Sequence, residues 1–89
     1  MRAVITVVGK DTVGILSKVS SICANERVNI IEVTQSILQD MFCMIMIADV
    51  SNCVTSFTQF ADDLSKYGED NSLQIHVMNE NIFNSMHKI

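Results

Sequence analysis

Hydrophobic and polar positions along this chain switch between a two-residue and a helical period, and the switches mark out its elements. The run from Arg2 through Val8 is largely apolar on both faces of a two-residue period and stops at Gly9. That predicts a strand lying centrally in a sheet. Over residues 13–26 the period becomes helical: Ile15, Val19, Ile22 and Cys23 share one face, with Lys18, Ser21 and Asn25 elsewhere. Asp11 or Thr12 can cap that helix. Residues 29–39 return to alternation, Ile31, Val33 and Ile37 against Glu32, Thr34 and Ser36, which predicts a half-buried strand. Gln39-Asp40-Met41 supplies a turn, and residues 42–50 are apolar on both faces, so this third strand is also central. Ser51-Asn52 breaks it and can cap a second helix over 54–67, with Phe57, Phe60, Ala61 and Leu64 inward and Gly68 as its stop. Residues 72–78 alternate again, Leu73, Ile75 and Val77 against Gln74, His76 and Met78. In the tail, 79–89, Ile82, Phe83, Met86 and Ile89 fall near helical spacing and predict a short helix that docks on the body or on a partner.

The order β-α-β-β-α-β plus a tail helix predicts an α+β, ferredoxin-like fold: a four-stranded antiparallel sheet with two helices on one face. Strands one and three take the centre and strands two and four the edges. The other sheet face, carrying Thr6, Glu32, Thr34, Ser36, Gln74 and His76, stays open. With 89 residues the chain is one domain, 1–89. A domain of this size buries only about 60–65% of its unfolded surface and gains from self-association.

Composition narrows the chemistry. The formal net charge of -4 and the lack of a basic stripe argue against nucleic-acid binding. No polybasic segment suggests a membrane surface, no apolar run approaches transmembrane length, and the first run is too short for a signal-peptide core. These point to a cytoplasmic protein. Cys23, Cys43 and Cys53, odd in number and without a Cys-x-x-Cys pair, read as buried reduced thiols rather than disulfides or a metal site. His76 and His87 lie on different elements without a motif partner, and Asp62-Asp63 reads as a solvated helix face. The six methionines read as adaptable core filler. No nucleophile–base constellation is visible, so an enzyme is not expected. A hydrolase of acylphosphatase type needs an arginine in the loop after strand one, yet the only arginines are Arg2 and Arg27. No metal and no cofactor is expected.

One element does point to a site. The strand ending at Gly9 passes through a polar step to Gly14, which opens the first helix. Amides at a helix start converge and carry the positive end of the dipole, a place for a carboxylate. Asp11-Thr12-Val13-Gly14-Ile15-Leu16 after a strand, with Val28-Asn29-Ile30 opening strand two, resembles the ACT domain. The Thr34-Gln35 step and the tail from Ile82 to Ile89 resemble a narrower group of free-standing ACT proteins, related to the ACT repeats of the glycine-cleavage regulator. The resemblance implies a regulatory module that binds amino acids or related metabolites between two domains. It implicates Asp11, Thr12, Val13, Gly14 and Ile15 on one side and Asn29 and Ile30 on the other. Many ACT domains carry proline where this chain has Val13, so this loop is less rigid. The expected function is a small-molecule sensor, its effector an amino acid at the interface of a homodimer and its output passed through an unidentified protein partner. The alternative is a constitutive interaction module whose interface holds no metabolite.

Overall fold

The structure is a computed structural model and describes residues 1–10 and 14–86. The elements are β1 (Arg2–Gly9), α1 (Ile15–Asn25), β2 (Asn29–Leu38), β3 (Met41–Asp49), α2 (Phe57–Asp70), β4 (Gln74–Asn79) and α3 (Glu80–Met86). The four strands form one antiparallel sheet in the order β2-β3-β1-β4. This is the ferredoxin-like arrangement the sequence predicts, with β1 and β3 central.

Register explains the two faces. Ile5 stands opposite Met46 and Val77, and Val7 opposite Met44 and Ile75. These side chains meet Val19 and Cys23 of α1 and Phe60 and Leu64 of α2 in one core. Ile5, Val7, Met44, Met46, Val19, Cys23, Phe60 and Leu64 are fully buried. On the other face Thr6 stands opposite Ile45 and His76, and Ile45 opposite Thr34. The expected open face is therefore present, although Ile45 puts an apolar side chain, 44% exposed, in its middle.

α3 modifies that face. It packs on β1 and β4. Val4, on the side of β1 opposite Ala3 and Ile5, is buried there. The Arg2 guanidinium grips the Glu80 carboxylate through Nη2 at 2.6 Å, and its Nε donates to Oε1 at 3.2 Å. Ile82, expected to dock, is 56% exposed, and the expected Ile89 lies outside the described residues.

Four local expectations differ. A bulge between Ile30 and Glu32 shifts the phase of β2, so Ile30 and Val33 pack on the core while Ile31 is exposed. α2 is capped by Ser56, whose hydroxyl accepts from the Gln59 amide at 3.0 Å, and not by Ser51 or Asn52. Ser51 instead donates its amide to Asp49 Oδ1 at 2.9 Å and accepts the N-terminal ammonium at 2.7 Å. Gly68 does not stop α2. It lies inside the helix, where a Cβ would meet the Leu73 carbonyl oxygen at 2.9 Å and Ile75 Cγ1 at 3.0 Å, so it lets α2 press against β4. Of the three free cysteines only Cys23 is fully buried, and Cys43 and Cys53 are half-buried. Among the described residues no helix is long and apolar enough to cross a membrane.

Candidate ligand-binding elements

Gly14 sits at the start of α1 with φ 73° and ψ 4°, the left-handed region that favours glycine. Among the described residues, chain neighbours aside, no atom lies within 4 Å of the position a Cβ would take, so backbone shape selects glycine here. Its carbonyl accepts the Lys18 amide at 2.9 Å and begins the helix ladder. Gly14 has no side chain to cap the amides of the first turn. Those amides have no acceptor within the helix itself, which is the arrangement an anion can complete. Ile15 departs from the expectation in one respect: its side chain is buried in the core, so it can offer a ligand only its backbone. Asp11, Thr12 and Val13 lie outside the described residues.

Asn29 is exposed at the first position of β2, opposite Asp49. Ile30 is half-buried against the core. Gly14 and Asn29 are not brought together within one chain. The 11 residues of α1 separate them, a length of about 16 Å at roughly 1.5 Å per residue. Gly14 lies at the end of the sheet where β1 finishes, and Asn29 lies level with Arg2, where β1 begins.

The C-terminal end of α1 carries a tight polar cluster. The Glu26 carbonyl accepts the Val54 amide at 3.0 Å, and the Thr55 hydroxyl donates to the Glu26 carboxylate. Glu26, 8% exposed, thus has partners through both its backbone and its side chain. Burial, and then the Glu26 carboxylate and Cys53, push the Cys23 thiol up to about 11. That is a protonated, inert thiol at neutral pH. Asp49 is held below the ordinary carboxylate range, chiefly by the hydrogen bonds from the Ser51 side chain and amide. His76 is exposed on the open face, and His87 lies outside the described residues. Among the described residues no cluster of three or more His, Cys, Asp or Glu could hold a metal ion.

A cavity of about 480 Å³ opens at the end of β1 and is lined by Val8, Gly9, Lys10, Met41, Asn71, Ser72 and Gln74. None of these residues is among the binding positions expected from the sequence. The cavity's only signal in the sequence is the polar Asn71-Ser72 pair before a strand, which reads as a turn.

Comparison with known proteins agrees with this architecture. The ACT domain family profile matches residues 2–78. The chain is 44% identical over 89 residues to the UPF0237 protein of Clostridium acetobutylicum, with all of both chains covered. Among solved structures, the ACT domain protein from Streptococcus pneumoniae superposes with a TM-score of 0.81 at 32% identity, covering 93% of each chain. A putative glycine cleavage system transcriptional repressor gives a TM-score of 0.71 at 26% identity, covering 85% of this chain and 43% of the repressor.

Proposed function

The chain belongs to the ACT domain family, a family of ligand-binding regulatory domains, and from that premise we propose that it is a homodimeric amino-acid sensor. One wall of each site is formed by Asp11, Thr12, Val13, Gly14 and Ile15 of one protomer, the other by Asn29 and Ile30 of its partner. The observation that carries this reading is the separation of the two walls by the full length of α1.

A two-fold axis resolves that separation. β2 is an edge strand, and two such edges pair antiparallel about a two-fold. Beyond the bulge its ladder with β3 is regular over 32–38. Pairing over that stretch carries Asn29 just past the partner's last β2 residue. That is the end of the sheet from which the loop after Gly9 emerges. Each Gly14 then meets an Asn29 from the other chain, twice per dimer. Ile31, Ile37 and Leu38, 45%, 65% and 66% exposed, lie along the same edge and lose water on pairing. An amino acid fits the chemistry of the two walls. The amides at Gly14 suit its carboxylate, and the side-chain oxygens of Asp11 and Asn29 can accept from its ammonium. In this reading, output passes to another protein that recognises the liganded dimer.

Isothermal titration of the twenty amino acids into the protein, with light scattering of the same sample, tests this. Saturable heat with one amino acid, lost in Gly14→Val, is the expected result. A dimer silent to the whole panel would overturn amino-acid sensing, and a monomer would overturn the shared site.

A further inference from the structure

We propose that the cavity at the end of β1 is a second binding site, contained within one chain, for a small monocarboxylate with a short apolar body. Its volume, about 480 Å³, falls in the range of small-ligand pockets, about 300–1,000 Å³. Its lining divides by chemistry. Val8 and Met41 provide an apolar floor, and Gly9 adds backbone only, the place of its absent side chain being taken by Leu73 on the core side. Lys10, Asn71, Ser72 and Gln74 provide a polar rim.

The rim selects the sign of the ligand. Among the described residues Lys10 is its only ionisable side chain, and none of them brings a carboxylate to the cavity. Lys10 makes no ion pair with a described residue. The donors available beside it are the Ser72 hydroxyl and the Gln74 carboxamide. The Asn71 amide group is already committed, donating to the Tyr67 carbonyl at 2.9 Å, which fixes that side of the rim. The backbone fixes it too. Ser72 adopts φ 58°, and the Leu73 amide donates to the Gly68 carbonyl at 2.8 Å, so the turn is tied to α2. Val8 and Gln74 stand opposite each other in register on the open sheet face. A carboxylate at the rim therefore meets a cation and two neutral donors while its carbon chain lies over Val8 and Met41.

The cavity's described lining comes from β1, β3, β4 and the turn before β4 of a single chain, with Met41 opposite Leu38 at the end of β2. Two of its lining residues, Gly9 and Lys10, directly precede residues 11–13 in the chain.

The probes are hexanoate and hexylammonium, equal in chain and opposite in charge, titrated into ¹⁵N-labelled protein and followed by amide shifts. Hexanoate is expected to shift Val8, Gly9, Ser72 and Gln74 saturably, with hexylammonium at least about tenfold weaker, the factor that about 1.4 kcal/mol represents. Lys10→Met and Gln74→Glu, both at exposed positions, should each weaken hexanoate by a similar factor while leaving the spectrum folded. Equal response to both probes, no saturation by about 10 mM, or indifference to both substitutions overturns the site. Shifts centred on Gly14 and Asn29 instead overturn it in favour of the interface.

Discussion

Gly68→Ala should destabilise this protein, against the ordinary rule for helices. In an exposed helix interior, glycine to alanine gains about 1 kcal/mol. At Gly68 the new Cβ would lie 2.9 Å from the Leu73 carbonyl oxygen, 3.0 Å from Ile75 Cγ1 and 3.3 Å from Ile75 Cδ1. Comfortable carbon contacts begin near about 3.5 Å, so α2 must lift from β4 by about half an ångström. Neither neighbour can yield cheaply. The Leu73 carbonyl is backbone, in a residue whose amide is bonded to the Gly68 carbonyl at 2.8 Å, and the Ile75 side chain is buried. Overpacking of this kind costs about 1–3 kcal/mol. Set against the helical gain, the net loss is about 1 kcal/mol, or a fall in Tm of about 4–8 °C for a domain this size. Urea and thermal unfolding at fixed protein concentration measure it. Thr58→Ala, exposed in the same helix, serves as the control that should gain from propensity alone. An unchanged or raised Tm for Gly68→Ala would refute the packing argument.

Gly14, the cysteines and Ile37 carry further expected outcomes. Gly14→Ala should cost about 1–2 kcal/mol from its left-handed backbone alone, and Gly14→Asn should cost less, because asparagine visits that region more readily. Equal unfolding midpoints for the two variants would argue against a backbone origin. Iodoacetamide at pH 8 should label Cys43 and Cys53 in the folded protein and spare Cys23, with all three labelled in urea; peptide mass spectrometry reads the difference. Because folding raises the Cys23 thiol from 9.0 to about 11, its contribution is intact below pH 9 and is lost as pH rises toward 11. A stability–pH curve flat over that window would contradict the assignment. Ile37→Lys, at a position 65% exposed in the single chain, should leave the monomer fold unchanged within about 0.5 kcal/mol and shift light scattering from dimer to monomer. A dimer that survives the substitution would move the interface away from β2.

Strand identity, order and facing were legible in the sequence because β1 and β3 are apolar on both sides while β2 and β4 alternate, and burial enforces that pattern. The open-face residues Thr6, Glu32, Thr34, Ser36, Gln74 and His76 do share one side of the sheet. Positions set by one backbone contact were not legible. Gly68 has the composition signal of a helix stop, but the closeness of β4 explains it, and periodicity carries no information about a neighbouring strand. The bulge at Ile31 is equally silent, since an apolar residue at an alternating position reads the same whether or not the ladder slips. Of the candidate site, Gly14 was legible through its place between strand and helix. The Lys10–Gln74 cavity was not, because its lining comes from three strands and a turn, each of which alone resembles ordinary surface.

The placement of β1 at the centre of the sheet also governs how the chain can fold as it is made. β1 is synthesised first, yet its partners are Met41–Asp49 and Gln74–Asn79. Until β3 clears the ribosome, this largely apolar strand has no native neighbour on either edge. The β2–β3 hairpin, joined by a turn at Gln39 and Asp40, can form alone and early. The sheet closes only when β4 emerges, so this small protein has a high contact order and should fold slowly for its length. Its nascent chain is correspondingly exposed to aggregation through the strand that becomes its core.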